Sequence, residues 1–300
     1  MIDKNGQILY LYDAKLTNPN GDPDEENRPR MDYEREKNLV SDLRLKRYIR
    51  DYLLDLGYPL YVQKIDGQPV TPEIRLKELE DRDDIVKAAK DTFIDIRLFG
   101  ATIPVKKDNH SITGAVQFNW GYSLNQVKLL ESSITSHFAS SDKKTMGSIG
   151  KDYRVQYSLL AFSGIISAKR AEYTCLTGKD IELLDQAMVN AIPLLATRSK
   201  IGQQPRLYIR LELSDKETVL KDLRGYIIFN PEKESVRDIS EYVLEISKLI
   251  CYFNEQRSKI SRIVYFVDDD LKLTYDGRPT SLPECLKEFE TTRLYQGVMK

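Results

Sequence analysis

From Leu16 to Leu56 the chain reads LTNPNGDPDEENRPRMDYEREKNLVSDLRLKRYIRDYLLDL, a turn-rich polar loop that hands directly onto an amphipathic basic segment. Before it, Ile8 to Lys15 (ILYLYDAK) is an aliphatic and tyrosine run suited to a buried strand. Asn18-Pro19-Asn20-Gly21-Asp22-Pro23 then stacks turn formers and proline so densely that neither a ladder nor a helix can continue, so the chain must leave the sheet here. After the loop, Ser41 is placed to cap a helix, Asp42 complements its positive end and Gly57 supplies a left-handed stop. Those signals predict a helix of about four turns. On its wheel Leu45, Ile49, Tyr52, Leu53 and Leu56 share the arc that packs on the sheet, while Lys46, Arg47 and Arg50 fall on or beside the other and predict a cationic face.

The loop adds Arg28, Pro29 and Arg30. A positive helix start beside asparagine amides and arginine forks can seat a phosphate or a backbone carboxylate. The competing reading is a solvated surface, its cations balanced by Asp24, Glu25, Glu26, Glu34 and Glu36.

With 41% hydrophobic residues in 300, the chain can bury a sizeable core. Its 45 basic residues against 46 acidic mean that a polyanion partner would be held by a local patch and not by a global field. Cys175, Cys251 and Cys285 are an odd number at wide spacing, which predicts buried thiols in a reducing compartment and places the protein in the cytoplasm. The opening MIDKNGQ has neither a charged n-region nor an apolar h-region, and no apolar run reaches the roughly 18 residues of a membrane span, so neither secretion nor a membrane partner is expected.

Further along, Tyr61 to Ile65 predicts a short strand turning at Asp66-Gly67, and Glu73 to Lys90 one or two charged helices. Phe93 to Ala101 fits a helix end or a strand, and Ile112 to Leu124 a strand, so that Arg97, Gln117 and Asn119 would be presented together. Ser132 to Asp152 loses apolar periodicity and has the composition of a mobile arm around one apolar residue, Met146. Tyr157 to Ala168 returns to a buried strand, with a bulge or close backbone approach at Gly164. Thr177 and Asp180 form a capping-box pattern before a helix facing inward with Leu184, Ala187, Met188, Ala191 and Leu195, and Leu207 to Leu213 alternates as a strand. Strand, helix, insertion-rich middle, strand, helix and strand make an α+β sandwich close to the βαββαβ of ferredoxin-like folds. Tyr226 to Phe229, a helix over about Ile239 to Asn254, and Ile263 to Val267 are expected as a smaller C-terminal addition.

Catalytic chemistry has little to work with. His110 and His137 stand far apart in loop-like sequence, too little for a zinc site or a serine triad. Gly147-Ser148-Ile149-Gly150-Lys151 resembles the end of a phosphate loop, but Asp152 replaces the residue that would hold magnesium. Arg224 to Phe229 misses two positions of an RNA-stacking strand, and Asp268-Asp269-Asp270 reads as a solvated turn.

Several stretches nevertheless stand in one order: NPNGDPDEENRPRMD with SDLRLKRYIRDYL, then DIRLFGA, then ITGAVQFNWGYSLN, then TMG before YRVQYSLLAFSGIIS. This series closely resembles the backbone subunit of type I CRISPR surveillance complexes (Cascade), most like the subtype I-B branch, within the RAMP superfamily. The resemblance implies a single domain over 1–300 with an RRM-like (ferredoxin-like) palm, a large middle insertion over 61–152 that includes a thumb-like arm at 132–152, and a C-terminal extension at 216–300. It implies no catalysis, cofactor or metal, and as partners CRISPR RNA, target DNA reached through the guide, further copies of the chain joined head to tail, and other Cascade subunits.

Mapped by that resemblance, palm contacts to RNA would come from Asn18, Asn20, Arg28, Arg30, Lys46, Arg47 and Arg50, with Arg97, Gln117, Asn119 and Ser123 nearby. The thumb would offer Lys143 and Lys144 to phosphate and Met146 as an apolar wedge. GSIGKD replaces a more basic run expected after TMG. Two other classes stay open: a metal-dependent ribonuclease using Asp22 or Asp32, as in related type III subunits, and a guide-processing endonuclease relying on His110 or His137.

Overall fold

The computed structural model describes residues 1–79, 82–105, 108–135 and 149–297. Its centre is strand β1, Gly6–Thr17, whose residues from Gly6 to Ala14 are all buried. A continuous apolar run suits a strand covered on both faces. Ile8, Tyr10 and Tyr12 point into one core with the helices, while Leu9 and Leu11 point into another beneath the C-terminal region.

Around β1 the order of elements follows the chain's helix and strand signals. Strand β2 (Lys37–Val40) leads into α1 (Asp42–Asp55); α2 (Ile94–Phe99), β3 (Val116–Phe118) and β4 (Gly121–Ser123) follow. Then come β5 (Leu129–Thr135), β6 (Ile149–Ile166), α3 (Gly178–Leu194) and β7 (Gln203–Leu213). In the main sheet β1 lies between β6 and β7, antiparallel to both, with Tyr10 opposite Phe162 on one side and Tyr208 on the other. Both β3 and β4 pair with β6, and β4 also pairs with β2. Helices α1 and α3 cover the face carrying Tyr10 and Tyr12, where the Tyr12 ring stacks on Phe162 at 5.9 Å.

The sequence signals at α1 are realised in detail. Ser41 accepts from the Arg44 amide, and Gly57 takes φ +84 just past the helix. Leu45, Ile49, Tyr52 and Leu53 are buried as expected, joined by Tyr48, whereas Leu56 lies beyond the last turn and is exposed. The Thr177–Asp180 capping box is present in full, with each side chain bonded to the other's backbone. Asp66-Gly67 turns a two-strand hairpin, both residues at positive φ.

Of the two expectations at Gly164 the close approach holds and the bulge does not: the strand keeps its register, and a Cβ there would meet the Phe118 ring at 2.6 Å. Three expectations need correction. The segment from Ile239 is not one helix: Tyr242–Glu245 is a strand because Tyr242 and Leu244 alternate into the second core, and the helix is Ser247–Glu255. The strand expected at Tyr226 starts at Ile228, after a tight turn over Leu223–Tyr226. The cysteines are free, but Cys251 is exposed and the other two are half-buried, so the thiols are not core residues.

Strand β8 (Ile260–Val267) does more than extend the chain's end: it joins the main sheet beside β7. A separate four-stranded sheet, containing Ile228–Pro231 and Tyr242–Glu245, closes the second face. There Asp13 accepts from Tyr157 at 2.9 Å and pairs with Arg206, which also reaches Asp268 at 3.1 Å, tying β1, β6 and β7 to the end of β8. Burial pushes the Asp13 carboxyl up, against the pull of Arg206. The middle insertion carries its own small core of Tyr61, Leu76, Leu79, Ala89, Phe93, Ile96 and Ile103. Among the described residues no helix is long and apolar enough to cross a membrane.

Candidate nucleic-acid interface

The loop that leaves β1 is folded by its own polar side chains. Asn20 Oδ1 accepts from both the backbone and the hydroxyl of Ser41, so the asparagine caps the cap. Asn18 is buried and its amide donates to the Asn27 carbonyl at 2.6 Å. Ser123 is buried as well, accepting from the Asn38 amide at 3.0 Å and donating to the Asn125 carbonyl at 2.8 Å. These three residues shape the loop, and Asn18 and Ser123 offer no open surface.

The expected cationic face of α1 is not an open face. Lys46 is buried, bonded to Asp42 at 3.1 Å and Gln117 at 2.9 Å. Arg50 is buried beside Asp95 at 2.9 Å, and Asp95, only 1% exposed, also accepts from the Tyr61 and Val62 amides. The physical reason is the middle insertion: α2 packs against that side of α1, and a desolvated guanidinium needs a carboxylate. Only Arg47 remains partly open, paired with Asp51 one turn on. Arg97 likewise turns away, forking onto Asp180 at 2.8 and 3.0 Å at the start of α3. Gln117 meets Lys46, while Asn119 is exposed and accepts from the Trp120 amide next to it. Arg97, Gln117 and Asn119 are therefore not presented together.

Arg28 and Arg30, the loop cations expected to contact RNA, are paired too. Arg30 meets Asp22 at 2.6 Å and lies 6.0 Å from the Trp120 ring, which is 45% exposed. Arg28 sits over the Tyr153 ring at 4.7 Å and reaches Glu131 at 3.6 Å. Lys151 meets Glu26 at 3.3 Å, and Tyr153 donates to the same carboxylate at 2.7 Å. Hydrogen bonds from Tyr153 and Lys151 hold the Glu26 carboxyl below its ordinary range. The loop is thus fastened to the base of the β5–β6 hairpin, in which Thr135 opposes Ile149. Lys143, Lys144 and Met146 lie outside the described residues, as does His137.

Asp22 also accepts from the Asp24 amide, so it acts as a turn residue and partner of Arg30. Asp32 accepts from the Arg35 amide. No group of three or more metal-ligating side chains occurs among the described residues.

Three residues gain a place in the site only from the structure. Trp120 reads in sequence as a strand residue, yet its ring is an exposed aromatic face beside Arg30. Arg44 sits four residues before Tyr48 and lies over its ring at 4.2 Å, a spacing that the helical wheel could have shown. Lys200, in the segment leading into β7, donates to the carbonyls of Asn18 and Pro19; no local pattern marks it.

Comparison with known proteins adds to this geometry. The family described as CRISPR-associated protein Cas7 matches residues 4–247. A CRISPR-associated protein Cas7 of Haloferax volcanii is 31% identical over 303 residues, covering 91% of this chain and 87% of the relative. A chain of a solved "CRISPR RNA-guided surveillance complex, pre-nicking" superposes with a TM-score of 0.56 at 13% identity, covering 97% of this chain and 96% of that one, a likeness that speaks for the fold.

Proposed function

We propose that this chain, which belongs to the CRISPR-associated protein Cas7 family, is a guide-RNA-holding backbone subunit of a type I surveillance complex. In this reading several copies assemble head to tail along one CRISPR RNA in the cytoplasm, with other Cascade subunits, and the guide reads target DNA by base pairing. The observation that carries it is the family match across β1, the polar loop, α1 and the β5–β6 hairpin.

The sheet order β7–β1–β6–β4, with α1 and α3 on one face, supports an RRM-like palm, and the β5–β6 hairpin supports a thumb. Arg28 and Arg30 with the exposed ring of Trp120 supply what single-stranded RNA asks of a protein: forks for phosphates and an aromatic face for unstacked bases. No cleavage is assigned to the chain: Asp22 is engaged by Arg30 at 2.6 Å and Asp32 accepts from the Arg35 amide at 3.2 Å.

Co-expression with the neighbouring complex subunits and purification through this chain should recover discrete CRISPR RNA. The assembled complex, given complementary RNA and magnesium, should leave that RNA intact. A nucleic-acid-free monomer that never joins its partners would overturn the assembly reading; cleavage lost in Asp22→Ala would overturn the non-enzymatic one.

A further inference from the structure

We propose that Arg44 and Lys200, set between the loop after β1, the first turn of α1 and the segment leading into β7, form a subsite for one phosphate-class oxyanion whose binding takes up a proton. The proposal rests on the guide-binding reading and assigns one contact within it.

The cations around the loop are unevenly partnered. Arg28, Arg30, Arg47, Arg50 and Arg97 each have a carboxylate partner, as does Lys46. Lys200 has none among the described residues: its ammonium meets only the carbonyls of Asn18 and Pro19 and feels the charge of Arg44. Arg44 spends its plane on the Tyr48 ring, and its buried Nε has no hydrogen-bond partner there. A chain of contacts joins the two: Lys200 to Pro19, Pro19 to the Tyr48 hydroxyl, and the Tyr48 ring to Arg44. The same hydroxyl donates to Gln203 Oε1 at 2.9 Å, leaving Gln203 Nε2, on a residue only 1% exposed, as a second buried donor without an acceptor. Two cations and two spare N–H donors around one loop, where Asp51, whose charge reaches Tyr48, is already held by Arg47, are the complement of an oxyanion.

The groups facing Lys200 set the sign of its response to pH. From α1 these are Arg44 and Tyr48; from the loop after β1 only backbone carbonyls; on its own segment Arg198, which is occupied by Asp152 at 3.1 Å. Burial foremost, and then Arg44, push the Lys200 ammonium down to about 7. An anion seated here favours the charged form and raises that value, so the free amine gains a proton from solvent as the anion binds. Affinity through this site is therefore level below about pH 6 and falls toward tenfold per pH unit above about pH 7.

The test uses the full chain and two probes: mixed-sequence single-stranded RNA, and inorganic sulfate, whose charge is constant from pH 6 to 9. Wild-type affinity for both should fall as pH rises from 7 to 9. Lys200→Arg should keep the pH 6 affinity and abolish the fall. Lys200→Met should lose about tenfold in RNA affinity at pH 6, the size of one charge-assisted hydrogen bond, and also abolish the fall. Arg44→Gln, a half-exposed change that leaves Lys200 in place, should weaken sulfate and shift the fall to higher pH by removing the like charge. RNA binding by Lys200→Met with wild-type affinity and pH profile would overturn the subsite and leave the guide reading standing. Lys200-dependent sulfate binding in a protein that never takes RNA would keep the subsite and sink the guide reading.

Discussion

The cations of this chain fall into two regions that a sequence cannot tell apart. Along the outer loop and α1, Arg30, Arg47 and Arg50 each hold a carboxylate at 2.9 Å or less. Where the loop after β1 meets the segment before β7, Arg44 and Lys200 hold none among the described residues. A basic residue already paired must give up one partner to take phosphate, so its net gain is small; an acid-free pair gains a partner where it had none. Charge density alone is therefore a poor guide to where a polyanion is gripped.

The sharpest way to break this contrast is to remove a paired cation at depth. Arg50→Met leaves Asp95 desolvated and should cost about 3 kcal/mol or more in urea unfolding, as breaking buried pairs does. The double change Arg50→Met with Asp95→Asn should recover part of that loss. An Arg50→Met protein as stable as wild type would mean that the pair is solvated.

Next in size is the effect of Lys200 on stability without any anion. Its folded-state value is depressed to about 7, while in the unfolded chain it stays near the ordinary lysine value. Between those values the unfolded chain binds more protons, so stability should rise with pH from about 7 to 10, and below that window the charged amine carries its full cost. Lys200→Met should flatten this rise in a melting series from pH 6 to 10. A rise identical in the variant would assign it to other groups.

Smaller changes are expected at the half-exposed pairs. Asp22→Asn frees Arg30 and should alter stability by no more than about 1 kcal/mol while tightening RNA a few-fold. Weaker RNA binding in that variant would show that Asp22 positions the fork instead of competing for it. Arg47→Gln should move stability by about 0.5 kcal/mol or less, the usual worth of a pair one turn apart on a helix.

Much of the fold is legible in the sequence because its signals are local. The apolar run of β1, the Ser41 cap, the Gly57 stop and the Thr177–Asp180 capping box each act within one or two turns, and each is realised. The site is less legible because charge pairing is not local. Arg50 finds Asp95 across 45 positions and Arg97 finds Asp180 across 83, so neither burial can be read from a helical wheel. Tyr242–Glu245 reads as helix because alternation over four residues is short, and only the second core shows which side Tyr242 and Leu244 must face. Lys200 has no motif at all; its character comes from the two carbonyls and the arginine that the fold places around it.

The salt dependence of single-stranded RNA binding at pH 6 tests the contrast most directly. Arg44 and Lys200 share one phosphate, and removing one phosphate interaction should lower the slope of log affinity against log salt by about 0.7, so Arg44→Gln with Lys200→Met should flatten it by that amount, with the protein still folded. An unchanged slope in that double variant would contradict the assignment and return the grip to the paired cations of the loop.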